Sequence, residues 1–277
     1  MRRRLALVLA PSIVGAAGCA AVLGLPDPAV KEGDGSASEA GHDAVDDGVG
    51  ADAACGPTAS IGCPVDTLFC ESFEAPQLPS QWESHFSAAD PPALARPPCS
   101  ASAFGSHALH VGADAGDGGS ASSYLQRGLR LEDGGDLPPG TTLGVRAYVF
   151  VAAPLASSGP TLLLVQGPGP AENAGLQASS SGMFVFVHTF ADAGTVLAAP
   201  SALPLNRWVC VQWQITPKNT TLVVDERSLG NESMPPTAFS QGLRFFDIGL
   251  IGFDGAQGAS VYFDEVAVAM TVPPACR

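Results

Sequence analysis

The sequence predicts an all-β sandwich displayed behind an export signal and a flexible acidic segment. Three observations predict it. An uncharged apolar run follows Arg2-Arg3-Arg4 at the N-terminus. Residues 26–57 carry many carboxylates and no aromatic side chain. From residue 58 onward, short segments rich in Val, Leu, Ile and Phe alternate with Pro and Gly, and none shows a helical period with a cap.

The first element is residues 1–18. A basic start, an apolar stretch of about 14 residues (Leu5 to Gly18) and small residues before a cut site make a secretory signal. The stretch is too short to span a bilayer, which takes about 20 residues, and Pro11 interrupts it. Ala16-Ala17-Gly18 followed by Cys19 resembles the lipobox of bacterial lipoproteins, with Ala16 where that family usually has Leu. The resemblance implies cleavage before Cys19 and acylation of its thiol. Several acyl chains hold a protein on a membrane far better than one, which anchors only marginally. In that family Asp after the Cys tends to retain the protein at the inner membrane. Ala20 therefore implies sorting to the outer membrane, on its periplasmic or surface face.

Residues 19–57 are the tether. Eight carboxylates (Asp27, Glu32, Asp34, Glu39, Asp43, Asp46, Asp47 and Asp52) stand against Lys31 alone. Such a segment buries too little apolar surface to offset its conformational entropy, and its like charges extend it. It would span on the order of 30 Å. The spacing of Asp43, Asp46 and Asp47 does not match a calcium loop.

Residues 58–277 are the displayed domain. Strands are expected at Leu68–Phe73, Ala108–Gly112, Ser122–Leu125, Leu143–Val151, Thr161–Gln166 and Gly182–Phe190. Further strands are expected at Thr195–Ala198, Trp208–Ile215, Thr220–Asp225, Leu243–Phe246, Ile248–Phe253 and Ser260–Met270. Many short strands with turns between them indicate a sandwich or barrel. In Trp208–Ile215, Val209, Val211, Trp213 and Ile215 share one face, and Pro217-Lys218-Asn219 turns the chain into a hairpin. Trp213 belongs to the core.

Three segments in order then carry a resemblance: Phe73-Glu74 with Trp82; Gly105-Ser106-His107-Ala108-Leu109-His110-Val111; and Val261-Tyr262-Phe263-Asp264-Glu265-Val266-Ala267-Val268. Trp208-Val209-Cys210-Val211 and Leu222-Val223-Val224-Asp225 lie between them. Residues 68–272 are in this respect similar to the concanavalin A-like (laminin-G-like) domain and to jelly-roll carbohydrate-binding modules. The resemblance implies a two-sheet antiparallel jelly-roll sandwich, first and last strands side by side, and one concave face. It also implies a structural calcium tying those strands, held by Glu74 and Asp264 with backbone carbonyls completing an oxygen shell. Strand-end hydrogen bonding is the plainer role for the two carboxylates, and Asp254 is a third candidate ligand.

Without Cys19, six cysteines remain: Cys55, Cys63, Cys70, Cys99, Cys210 and Cys276. An even number in an exported chain suggests three disulfides, and their spacing is not that of a zinc site. The pairing expected is Cys55–Cys63, Cys70–Cys276 and Cys99–Cys210, out of 15 possible connectivities.

The domain carries 19 acidic and 9 basic residues from position 58 onward, a net charge of −10. That excludes nucleic acid and anionic glycans as partners held by bulk charge, and leaves cations, neutral glycans or proteins. No nucleophile elbow, zinc-protease motif, P-loop or dinucleotide fingerprint is present. The E-x-D-x-x-E strand signature of concanavalin-like glycosidases is also missing, so the domain is expected to bind rather than catalyse. Phe184, Phe186, His188 and Phe190 alternate with Met183, Val185 and Val187. A strand apolar on both sides is usually covered twice, which puts the aromatic face in the core. The alternative is a platform on which sugar rings stack, a role also open to Trp82, Tyr124 and Trp208. The function expected is a surface lipoprotein displaying a binding domain for glycan or a protein partner. The alternatives are an envelope interaction protein without a small ligand, or a degenerate polysaccharide lyase or glycosidase.

Overall fold

Strands are the only regular structure among the described residues. The computed structural model describes residues 63–64, 66–87, 89–97, 105–113, 120–156, 159–169, 172–189, 193–235, 238–254 and 258–276. All of these belong to the unit Gly48–Arg277. The signal, Cys19, the tether, Cys55, Cys99 and Phe190 lie outside them.

The strands are β1 (Thr67–Glu71), β2 (Glu83–Ser87), β3 (Ala93–Ala95), β4 (Ala108–Ala113), β5 (Ser120–Gly128), β6 (Leu143–Val151), β7 (Thr161–Gln166) and β8 (Asn173–Ser179). They continue as β9 (Gly182–His188), β10 (Ala193–Ala199), β11 (Trp208–Ile215), β12 (Asn219–Val224), β13 (Arg227–Ser233), β14 (Phe245–Asp254) and β15 (Ala259–Ala269). They form two antiparallel sheets. One has the order β13-β12-β11-β6-β15-β4-β3, with β1 also on β15. The other runs β10-β9-β8-β7-β14-β5-β2. The first strand thus lies against the last, and the fold is the jelly-roll sandwich expected.

The core lies between the sheets and follows from alternation. Val209, Val211, Trp213 and Ile215 of β11 are buried against Leu125, Phe246, Ile248 and Leu250 of the other layer's strands β5 and β14. The Trp213 indole N–H donates to the Thr220 hydroxyl at 2.9 Å, across the expected hairpin.

The outer face of the eight-stranded sheet is covered by the chain's own C-terminal tail. At Gly144 of β6 the tail lies so close that a Cβ would stand 2.4 Å from the Pro273 nitrogen. Arg146 Nη1 then donates to the Ala275 carbonyl at 3.2 Å, and Gln212 Nε2 to the Pro274 carbonyl at 2.7 Å. Cys276 bonds Cys210 of β11. This corrects the expected pairing. The tail turns back over β6 toward β11, so Cys276 meets Cys210, not Cys70. Cys70 instead bonds Cys63, seven residues earlier, with Cα atoms 5.6 Å apart. These two bonds exclude Cys55–Cys63, Cys70–Cys276 and Cys99–Cys210.

Candidate functional site

The outer face of the seven-stranded sheet carries part-exposed aromatic side chains. In β9, Met183, Val185 and Val187 are at most 1% exposed and fill the core. Phe184 and Phe186 are half-buried and His188 is exposed on the opposite side. The aromatic face is therefore not core, which corrects the expectation. The core takes the flexible and β-branched side chains, and among the described residues no second layer covers the rings. Phe186 and His188 lie 5.2 Å apart, edge to face.

Register sets the remaining neighbours. Residues directly opposite in an antiparallel pair share a face. Phe186 stands opposite Gly175, Gly175 opposite Leu164, Leu164 opposite Asp247, and Asp247 opposite Gln126. One row thus runs from ring to carboxylate across four strands and on to Gln126 in a fifth. The Phe186 ring lies over Gly175, where a Cβ would come within 2.3 Å of it. A parallel row holds His188, Asn173 and Gln166.

Asp247 is the centre of this face. It has no exposed surface, and its oxygens accept hydrogen bonds from Gln126 Nε2 at 2.9 Å and from Gln166 Nε2. Burial pushes its pKa up to about 6, against the opposing pull of the two amide donors. Both protonation states are then accessible near neutrality. Tyr124 stacks flat on His85, centroids 5.0 Å apart. Burial raises the Tyr124 pKa, and the charges of Asp247 and Glu83 add to it, so the phenol stays a hydrogen-bond donor. The face combines rings, amides and one carboxyl, which suits a ligand with apolar faces and many hydroxyls.

The other sequence candidates fall elsewhere. Trp82 is 7% exposed and packs on Phe69 (5.5 Å), Phe73 (6.3 Å) and Phe246 (6.5 Å), so it is core and not a platform. Its indole N–H reaches Glu71 at 3.4 Å, which is how the polar atom is satisfied inside. Trp208 lies on the other sheet, in a row with Phe150, Tyr262 and His110 across β11, β6, β15 and β4. Asp247, Gln126, Gln166 and His85 were missed. The signal for Asp247 was a lone carboxylate inside Phe245-Phe246-Asp247-Ile248-Gly249-Leu250.

Carboxylates also gather where β1 meets β15. Glu74 accepts from the Ser106 N–H (2.9 Å), the Ser106 hydroxyl (3.0 Å) and the His107 N–H (3.1 Å). Asp264 is 1% exposed and accepts from the Glu265 N–H at 2.7 Å. Burial above all holds its pKa up near 9, and the charges of Glu265, Glu74 and Glu71 add to that. Left-handed backbone at Phe73 and Glu265 turns these groups toward one edge. Hard oxygen donors of this kind fit calcium. Among the described residues no three Asp, Glu, His or Cys side chains converge on a metal position, so carbonyls would complete the shell.

No family model matches the chain, and no curated protein matches it. Solved structures do. The chain is similar to the cellulose-induced protein Cip1, at 15% identity and a TM-score of 0.54 over 76% of this chain and 100% of that one. It is similar to the endo-β-1,4-glucuronan lyase of the fungus Trichoderma reesei, at 12% and 0.53 over 74% and 96%. It is also similar to the binding domain of botulinum neurotoxin serotype G, at 6% and 0.51 over 75% and 48%. At such identities the likeness is one of fold, and the fold shared is the two-sheet jelly roll.

Proposed function

We propose that the protein is a non-enzymatic lipoprotein, anchored through Cys19 to the outer membrane, whose seven-stranded sheet binds a neutral glycan on its outer face. The observation that carries this is the outward row of Phe186, Gly175, Leu164, Asp247 and Gln126. Sugar rings would lie on Phe184, Phe186 and the Tyr124–His85 stack. Hydroxyls would pair with the amides of Gln126, Gln166 and Asn173, the first two of them held in place by Asp247 beneath. Two structures of like fold are named for cellulose induction and for glucuronan cleavage, which accords with a polysaccharide ligand. Their identity to this chain is too low to carry the reading, which rests on the face. Calcium, where bound, would sit between Glu74 and Asp264 and serve the fold, not the ligand.

The test is a glycan array probed with the Cys19→Ala protein, with and without calcium. Binding of neutral oligosaccharides that falls at least about tenfold in Phe186→Ala, with the melting temperature little changed, supports the reading. No glycan bound would favour the envelope interaction protein. Tyr124 and His85, stacked on the same face, bring a phenol and an imidazole together and favour a lyase as the second reading. Release of unsaturated sugar from a polyuronate would establish that instead.

A further inference from the structure

A second polar feature lies away from this face, at the end of the sandwich where β1 meets β5. A crevice of about 320 Å³ is lined by Leu68, Phe69, Gln81, Arg127, Leu129 and Arg130, with the Gly128 backbone between the two arginines. Its volume matches the small end of ligand pockets, which start at about 300 Å³. Arg127 alternates with Gln126 along β5, so its side chain leaves the ligand face and turns toward β1.

The Arg127 guanidinium lies over the aromatic core. Its carbon is 4.1 Å from the Phe69 ring centroid and 5.6 Å from that of Trp82. Packing on these rings restrains the group and its donors. One of them, Nη1, is buried and has no hydrogen-bond partner. A buried charged donor left unpaired is costly, so an acceptor that reaches it gains more than it would at the surface. Glu71, the carboxylate whose charge acts on Arg127, already accepts from the Phe73 N–H at 3.2 Å and the Trp82 indole at 3.4 Å. Arg130, exposed, extends over Gly128 and brings a second guanidinium to the same crevice.

We propose that this crevice binds the carboxylate of a small organic acid, for which glucuronate serves as the probe, with Arg127 as the half-buried anchor and Arg130 as the exposed clamp. A guanidinium is planar and offers coplanar donors, which match a planar carboxylate better than a tetrahedral sulfate. The domain's net charge of −10 repels anions at long range. Selectivity at this point therefore comes from short, directed contacts and not from a basic patch. The site is separate from the aromatic face and does not depend on its function.

The test is calorimetry of the Cys19→Ala protein with glucuronate, with glucose as its uncharged counterpart and with sulfate. Glucuronate should bind, glucose should not, and sulfate should bind at least about tenfold more weakly. Arg130→Ala should weaken glucuronate about tenfold without lowering the melting temperature, since its side chain is exposed. Arg127→Lys keeps the charge but not the planar fork, and should weaken it by at least as much. Phe186→Ala should leave it unchanged, which separates this site from the glycan face. No glucuronate binding at millimolar concentration, equal binding of glucose or sulfate, or binding indifferent to both arginine variants would each overturn the proposal.

Discussion

A carboxyl group on a sheet face meets opposite demands from water and from its neighbours. At Asp247 the loss of water dominates: two amide donors reach its oxygens, yet its pKa stands at about 6 against an ordinary 3.8. The folded state thus binds the proton more tightly than the unfolded chain does. The contribution to stability is greatest below the ordinary value and declines as pH rises toward 6, by about 3 kcal/mol over roughly two units. Asp247→Asn should remove that decline, so denaturant titrations of variant and wild type should diverge between pH 4 and 6.5 and run parallel above. Curves parallel throughout would mean that Asp247 is not desolvated. The same residue shows what could be read in the sequence. Alternation alone separated Phe184, Phe186 and His188 from Met183, Val185 and Val187, but it could not say which set faced the core. That depended on the absence of a covering layer, which is a property of the whole sandwich. Trp82 failed for the reverse reason, because a tryptophan in a turn gives no period from which to infer burial.

At the scale of elements, strands rich in β-branched residues were legible to the residue, as β6 and β7 show. The strands that went unseen are β2, β3, β8 and β13. Three of these stand at sheet edges, where one side chain row after another meets water and polar residues serve, as in Arg227-Ser228-Leu229-Gly230-Asn231-Glu232-Ser233. β8 is internal but built of small residues around Gly175, which leaves room for Phe186 and blurs the pattern. The C-terminal strap was invisible because nothing in its sequence reports that Gly144 lies beneath it. Its disulfide closes a separation of 66 residues, against seven for Cys63–Cys70. Loop-closure entropy then assigns about 4 kcal/mol to the first and about 2 kcal/mol to the second. Cys276→Ser should therefore cost more stability than Cys63→Ser in urea titrations, and the reverse order would show that the strap is held by its hydrogen bonds instead. The β1–β15 edge offers a further test. A buried carboxylate such as Asp264, with the charge of Glu74 acting on it, is unfavourable until a cation joins them, and a cation that binds only the folded state stabilises it by about 2.7 kcal/mol at a hundredfold excess over Kd. Millimolar calcium should raise the melting temperature over that in chelator. Asp264→Ala should abolish the rise and Asp225→Ala should keep it, although Asp225 holds Arg207 and the Cys210 N–H and its loss will lower both melting temperatures. No rise in the wild type would leave Glu74 and Asp264 as hydrogen-bonding groups alone.

For the molecule as a whole, charge and attachment must be considered together. The sandwich carries a net charge of −10 from residue 58 onward, and eight more carboxylates precede it. An anionic lipid surface repels such a chain, so the domain gains nothing by lying on the membrane. In the reading proposed above, attachment falls to Cys19. Because acyl chains are held by the hydrophobic effect, wild-type protein should stay with the membrane pellet in high salt and through a carbonate wash, and detergent should release it. Cys19→Ala should move the protein to the supernatant while leaving the melting curve of the sandwich unchanged, since the strands that build it run from Thr67 to Ala269. Mutant protein that still sediments after the wash would place the anchor elsewhere. Mutant protein that leaves the pellet but melts at a lower temperature would show that the N-terminal segment supports the fold, and would remove the basis for treating residues 19–57 as a tether.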